Sequence, residues 1–126
     1  MKGREAWRPV APVVLREDAE MMFSLVNPNC YHFMTTIAEA TLQTRAEYPA
    51  AVHDDGSARV QVVEGHHILG RILRKLKDAM GVRLLLNTSF NSGGEAMVND
   101  SAHARDTAGR IKPDYLVIGE VMEPIA

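Results

Sequence analysis

The alternation of apolar and polar positions along the chain predicts helices and strands in mixed order. The clearest helix covers residues 66–80, where apolar side chains recur at helical spacing and basic residues fill the opposite face. Gly81 follows directly and predicts the end of that helix. The continuous apolar run at residues 82–87 then predicts a central strand that is covered on both faces.

The remaining patterns are shorter, and they complete the predicted order of elements. Strands are expected at residues 10–15, 31–41 and 114–122, a short helix or turn at 16–25, a hairpin with an Asp-Asp-Gly turn at 49–63, and a helix at 99–111 capped by Asp100 or Ser101. This order predicts an α/β (α+β) fold with some parallel strand pairing. The length of 126 residues suits one domain, residues 1–126.

Composition narrows the function classes further. The formal net charge of −2 argues against a general nucleic-acid binder. The lone cysteine, Cys30, excludes an internal disulfide, and we expect it to be a small core residue. We find no signal peptide and no apolar run long enough to span a membrane, so the predicted location is cytoplasmic and no membrane partner is expected.

The segment NTSFNSGGE, residues 87–95, is the first candidate for chemistry. It follows the predicted strand at 82–87 and carries the hydrogen-bonding side chains of Asn87, Ser89 and Asn91. Two adjacent glycines would let the backbone approach a ligand closely. The segment lacks the Gly-Lys-Ser/Thr ending of a P-loop and the flanking glycines of a nucleophile elbow. It is therefore either an anion site or a hydrogen-bonded turn.

Cationic side chains form the second and third candidates. Lys2, Arg4 and Arg8 would share one face of an extended segment and could clamp a phosphate, or they could simply form an exposed basic terminus. Arg59 lies inside a β-like run, where a charge needs a partner. A ligand anion would serve, and so would a surface salt bridge to an aspartate or glutamate.

The histidines do not suggest a metal site. His66 and His67 are adjacent and would point in different directions on a helix, and the chain has no cysteine partners for them. The other three, His32, His53 and His103, have no ligand spacing. We therefore predict no protein-bound metal.

These candidates occur together, in this order, in a known family. The stretches KGREAWRPVAPVVL, AAVHDDGSARVQVV, GVRLLLNTSFNSGGEAMVND and DYLVIGE resemble the C-terminal domain of the O-carbamoyltransferases that modify nodulation factors and aminoglycoside or cephalosporin antibiotics. That domain is in turn similar to the YrdC-like fold, a twisted mixed sheet with flanking helices. YrdC-like proteins carry a Lys-x-Arg, a later strand arginine and a Ser-x-Asn-x-x-Gly, which fall here on Lys2 and Arg4, on Arg59, and on residues 89–93.

The resemblance implies a role for each candidate residue. Lys2, Arg4 and Arg8 would hold the phosphates of carbamoyl phosphate or ATP, with Arg59 adding charge to the same pocket. Asn87, Ser89 and Asn91 would hydrogen-bond the phosphate or carbamoyl group, and Arg59 and Ser89 are the expected catalytic residues. Fixed cations and oriented donors would stabilise the charge that develops on the α-phosphate as carbamoyl-adenylate forms.

The resemblance also implies what accompanies this domain. ATP with Mg²⁺ would be the cofactor, and an N-terminal actin-like carbamoyltransferase domain, absent from this chain, would transfer the carbamoyl group to a hydroxyl acceptor. The chain starts at the Lys-x-Arg motif, so we expect an N-terminally truncated fold whose edge near residue 1 could promote a homodimer. The alternatives are a catalytically inactive domain that binds nucleotide or carbamoyl phosphate, and an interaction domain.

Overall fold

The computed structural model describes residues 10–125, which form two compact units, residues 10–88 and residues 89–125. The first unit contains six strands and three helices among its described residues. They are β1 (Ala11–Leu15), α1 (Arg16–Met22), β2 (Phe23–Ser24), β3 (Ala38–Ala40), α2 (Leu42–Glu47), β4 (Ser57–Ala58), β5 (Gln61–Val63), α3 (Ile68–Met80) and β6 (Leu84–Asn87).

The first sheet has the strand order β5-β1-β6. Strand β1 runs parallel to β5, with Val13 beside Gln61, and antiparallel to β6, with Ala11 beside Asn87. All five residues of β1 are buried, so β1 is the central strand. The prediction that 82–87 form the central strand is wrong: β6 lies at an edge, and Leu86 is 50% exposed there.

The two faces of this sheet are covered by different elements. Val14 and its neighbours Val62 and Leu84 pack into a cluster with Phe23 of β2 and residues of β3 and β4. Val13, Leu15 and Val63 on the opposite face pack against Leu73 of α3. The predicted helix is confirmed, and Gly81 ends it in the left-handed conformation with φ +72°.

The second sheet has the order β2-β3-β4, and all of its pairs are antiparallel. The expected hairpin at 49–63 is wrong. Its turn exists, since the Gly56 amide donates to the His53 carbonyl at 2.8 Å. However, Pro49–Ala51 form a 3₁₀ turn, and β4 pairs with β3. The strand expected at 31–41 is reduced to β3.

Cys30 is exposed, contrary to the expectation of a core position. It lies in a 3₁₀ turn, Pro28–Tyr31, whose buried residue is Tyr31. The Tyr31 side chain is fully buried in the core cluster. In so tight a turn neighbouring side chains diverge, so burying the larger aromatic residue leaves the cysteine at the surface.

The second unit contains α4 (Ser101–Ile111), β7 (Tyr115–Ile118) and β8 (Val121–Pro124). The helix is confirmed, and Asp100 is its N-cap, since the Asp100 carboxylate accepts from the His103 amide at 2.7 Å. The strand expected at 114–122 is instead an antiparallel hairpin, because Gly119 adopts φ +61° in the connecting turn. Leu116 packs there against α4.

The α+β prediction, with a mixed sheet, is therefore confirmed by the described residues. The closer likeness to the YrdC-like fold and the assignment of 1–126 to a single domain stay predictions. Within residues 10–125, no helix combines the length and the apolar character needed to cross a bilayer.

Candidate functional site

The candidate site in the first unit lies at one end of the strands of the β5-β1-β6 sheet, and this strand end is called an edge below. Asn87 is the last residue of β6, as the sequence predicts, and it pairs with Ala11 at the start of β1. Because β6 is antiparallel to β1 and β1 is parallel to β5, the end of β6 and the starts of β1 and β5 share this edge. Gln61 is the first residue of β5.

A chain of hydrogen bonds joins these strand ends. The Asn87 side-chain amide donates to Gln61 Oε1 at 3.0 Å, and it lies 3.8 Å from the sulfur of Met34. The Gln61 amide group donates to the backbone carbonyl of His32 at 3.2 Å. The His32 ring nitrogen Nδ1 lies 3.1 Å from the Val62 carbonyl, an acceptor only, so Nδ1 carries a proton.

Sequence reasoning missed Gln61, His32 and Met34. Gln61 carries a usable signal, since it lies two residues after Arg59 in an extended segment and so faces the same side. His32 and Met34 carry none. They reach the sheet through the loop that follows a 3₁₀ turn, where Met34 adopts φ +57°, and no periodicity marks such a position.

Arg59 lies between β4 and β5 and is exposed, while its neighbours Ala58 and Val60 are fully buried. Extending the register of β1 and β5 by two residues places Arg59 beside Ala11, whose other neighbour is Asn87. Arg59 makes no hydrogen bond or ion pair with any residue in 10–125. The described part of the chain therefore supplies no acidic partner for Arg59, and the guanidinium faces solvent at the same edge as Asn87.

Ser89 and Asn91 meet in the second unit. The Ser89 hydroxyl donates to Asn91 Oδ1 at 2.6 Å, and the Asn91 amide donates to the Glu95 carbonyl at 2.8 Å. The Glu95 carbonyl can only accept, so it fixes the Asn91 amide nitrogen on its own side and leaves Oδ1 facing Ser89. A phosphate oxygen that accepted a hydrogen bond from the Ser89 hydroxyl would therefore have to replace Asn91 Oδ1 as its acceptor.

The loop that holds this pair is tied to α4. The Glu95 carboxylate forms an ion pair with Arg110, which also bonds Asp106 at 2.8 Å. Phe90 and Val98 pack against the α4 and β7 cluster, and the Val98 amide donates to the Phe90 carbonyl at 3.0 Å. The loop is thus a hydrogen-bonded turn packed against α4. The two interpretations from the sequence, a turn and an anion site, therefore do not exclude each other.

Asp55 and Gly56 of the HDDGSAR stretch stabilise and shape its turn. Asp55 accepts from the Ser57 amide at 2.9 Å, and hydrogen bonding by Ser57 lowers the pKa of the Asp55 carboxyl. Gly56 adopts φ +87°, and a side chain there would collide with the guanidinium of Arg45. These residues therefore shape the approach to Arg59 and β5.

The described residues contain no dedicated metal cage of three or more protein ligands. Mg²⁺ is usually held by one or two carboxylates together with substrate phosphates and water. Within residues 10–125, no three His, Cys, Asp or Glu side chains converge as metal ligands. The Arg59 guanidinium, which has no side-chain partner within residues 10–125, suits an anion. We derive no step through a metal.

The three cations near the start of the sequence, Lys2, Arg4 and Arg8, lie outside the described residues. The predicted site is therefore seen in parts. Arg59 and Asn87 share a sheet edge in one unit, and Ser89 and Asn91 are bonded to each other in the other unit.

The described residues thus form an α+β fold with a polar strand end, where Arg59 has no side-chain partner within residues 10–125. The chain belongs to the family described as Carbamoyltransferase C-terminus, which matches residues 1–123. The resemblance inferred from the sequence motifs is thereby confirmed.

Individual relatives agree with this assignment. The chain is 34% identical over 125 residues to Nodulation protein NolNO of Sinorhizobium fredii, a match that covers 97% of this chain and 18% of that protein. It is 37% identical over 110 residues to Nodulation protein U of Rhizobium tropici, covering 82% and 18%. It is 36% identical over 103 residues to 3'-hydroxymethylcephem-O-carbamoyltransferase of Amycolatopsis lactamdurans, covering 79% and 19%. The chain thus spans about a fifth of the length of these curated relatives.

Proposed function

We propose that this domain binds carbamoyl phosphate and ATP and forms carbamoyl-adenylate for an O-carbamoyltransferase. The proposal is supported by family membership together with the position of Arg59 at a polar strand end. Arg59, a cation with no protein partner in 10–125, lies at the strand edge that Asn87 also occupies. An exposed guanidinium suits a phosphorylated ligand.

The proposed reaction balances as two displacements. Water releases phosphate from carbamoyl phosphate and leaves carbamate, whose oxygen attacks the α-phosphorus of ATP as pyrophosphate departs. Negative charge then builds on the α-phosphate oxygens. Fixed cations lower that barrier without a general base, because they stabilise the developing charge and position the two reactants. We assign this role to Arg59 together with Lys2, Arg4 and Arg8.

Ser89 and Asn91 would contribute hydrogen bonds to the acyl phosphate. Since Ser89 donates to Asn91 at 2.6 Å, ligand binding would replace one strong hydrogen bond by another. Such an exchange costs little in net free energy. Transfer of the carbamoyl group to a hydroxyl acceptor, with release of AMP, we assign to an N-terminal carbamoyltransferase domain acting as partner.

The test is ligand binding by the 126-residue chain, followed by calorimetry, with carbamoyl phosphate and a non-hydrolysable ATP analogue. Arg59→Ala should weaken binding roughly ten- to a hundredfold, the usual worth of a charge-assisted hydrogen bond. Arg83→Ala is the matched control, because Arg83 is also exposed but directly precedes the opposite end of β6. Equal losses in both variants would refute a specific role for Arg59.

ATP–pyrophosphate exchange that depends on carbamoyl phosphate separates the enzyme from a mere binder. We expect exchange when the N-terminal domain of a relative is supplied in trans. Binding without exchange under that condition would favour the inactive ligand-binding alternative. Absence of binding to either ligand would leave the interaction domain as the better hypothesis.

A further inference from the structure

The hydrogen bonds at the sheet edge fix which way the Asn87 side chain faces. The backbone carbonyl of His32 can only accept a hydrogen bond, so the group that Gln61 presents to it must be its NH₂. Gln61 Oε1 therefore faces Asn87. The Asn87 atom 3.0 Å from that oxygen must in turn be its own NH₂.

Both protons of the Asn87 amide are occupied within the protein. One points to Gln61 Oε1, and the sulfur of Met34, a weak acceptor, lies 3.8 Å from the same nitrogen. The carbonyl oxygen Oδ1 receives no hydrogen bond from any residue in 10–125. Asn87 is half-buried, so this oxygen is an oriented acceptor at the candidate site.

An acceptor oxygen suits only one part of the proposed substrate. A phosphate carries acceptor oxygens and negative charge, and it would be repelled by the Asn87 carbonyl dipole. A carbamoyl group carries an NH₂, whose protons need an acceptor. The same position in acetyl phosphate is a methyl group of similar size, which would leave Oδ1 unsatisfied.

We propose that Asn87 Oδ1 recognises the NH₂ of the carbamoyl group, and that Gln61 is a positioning residue that holds the Asn87 amide in this orientation. The inference rests on the proposed function and deepens it. It assigns the discrimination between carbamoyl phosphate and other acyl phosphates to the end of β6. A site built to bind a substrate N–H rejects an analogue that lacks it, because its own polar group is then left unpaired.

The experiment compares binding of carbamoyl phosphate and acetyl phosphate to the full 126-residue chain. We expect the wild-type chain to prefer carbamoyl phosphate by roughly ten- to a hundredfold, the range set by one unsatisfied polar group. Asn87→Leu should bring the ratio of the two affinities close to one, with the acetyl phosphate affinity little changed. If that variant does not fold, Asn87→Ala replaces it.

Substitutions of Gln61 test the positioning role. Gln61→Leu releases the Asn87 amide to rotate, so the ratio of carbamoyl phosphate affinity to acetyl phosphate affinity should fall. Gln61→Glu keeps an acceptor for the Asn87 amide but loses the hydrogen bond to the His32 carbonyl, so the ratio should fall less than in Gln61→Leu, even though the added charge weakens both ligands. Gln43→Leu is the matched control. It changes the only other glutamine of the chain, an exposed α2 residue that donates to Glu47 at 2.8 Å.

The outcomes separate this inference from the proposed function. No binding of carbamoyl phosphate by the wild-type chain overturns the proposed function and this inference with it. Equal binding of carbamoyl and acetyl phosphate overturns the inference alone. Variants of Asn87 and Gln61 that weaken both ligands equally also overturn it, because a purely structural role lowers both affinities and leaves their ratio unchanged.

Discussion

The buried carboxylate of Asp18 gives the sharpest stability prediction. Asp18 lies in the first turn of α1 and is 1% exposed. Both of its carboxylate oxygens lie 2.9 Å from Nζ of Lys77, near the end of α3. Lys77 also bonds Glu17 at 3.3 Å, and hydrogen bonding by Asp18 and Glu17 raises the pKa of the Lys77 ammonium. The pair therefore ties α1 to α3 beside the sheet.

Replacing Lys77 and replacing Asp18 should lower the free energy of unfolding by different amounts. Lys77→Met keeps the aliphatic stem but leaves a buried carboxylate without a counter-charge, which costs about 3 kcal/mol at the lower end of the range for a broken buried pair. The lower end applies because Lys77 is partly exposed and solvent relieves some of the loss. Asp18→Asn leaves Lys77 with Glu17 and should cost about 1 kcal/mol.

The assay is urea denaturation followed by helical circular dichroism, with hydrogen exchange of peptides from 68–80 to report on α3. A loss of about 3 kcal/mol should shift the urea midpoint by roughly 1–3 M, given usual m-values. Lys75→Met is the matched control. Lys75 lies on the same helix and is exposed, and its side chain makes no hydrogen bond or ion pair with the described residues, so its change in stability should be near zero.

The double variant completes the cycle. Asp18→Asn with Lys77→Met should be less destabilising than the sum of the single changes, because the second change removes the charge that the first leaves unpaired. The reasoning fails if Lys77→Met costs no more than Lys75→Met, or if the two single costs simply add.

Three further predictions concern a pH dependence and two helix ends. Hydrogen bonding by Lys77 lowers the pKa of the Glu17 carboxyl below its ordinary value, so Glu17 stabilises the fold above that ordinary pKa and loses its effect as the pH falls through the lowered pKa. The urea midpoints of Glu17→Gln and wild type should therefore differ at neutral pH and converge in acid. Gly81→Ala should lower the free energy of unfolding by about 1 kcal/mol, because Gly81 adopts φ +72°. Gly109→Ala should raise it by about 0.5 kcal/mol, because Gly109 lies inside α4 with open space around it. Asp100→Ala should cost about 1 kcal/mol by removing the α4 N-cap, and Asp100→Asn should not.

Each of these has a clear contrary result, seen in the same urea titrations. A Glu17→Gln effect that persists in acid would show that packing, not charge, is involved. Equal effects of Gly81→Ala and Gly109→Ala would remove the argument from backbone conformation. An Asp100→Ala variant with an unchanged urea midpoint would show that the cap contributes nothing.

Long periodic segments were predictable because their signals are local. The spacing in 66–80 required one apolar stripe, Gly81 supplied a left-handed stop, and Asp100 supplied an N-cap, so α3 and α4 follow from neighbouring residues alone. The polar character of Asn87, Ser89 and Asn91 after a strand was equally local. Their joint meaning came from the family motifs in which they occur.

The errors arose where pairing joins distant residues. The apolar run of three leucines in β6 predicts a central strand. The central position belongs to β1 instead, because β5 and β6 pair with it on either side. The Asp-Asp-Gly turn reads as a hairpin, but β4 finds its partner in β3. Hydrophobicity records that a residue is buried, and it does not record which strand lies beside it.

The sequence by itself determined the family, the α+β class, the ends of the two long helices and the identity of the candidate polar residues. Only the tertiary structure decided how those residues face. The His32 carbonyl orients Gln61, Gln61 orients Asn87, and the Asn87 oxygen is thereby left as an acceptor. The reason is that a side-chain amide can donate or accept a hydrogen bond, and its orientation is set by partners 29 and 26 residues away in the chain.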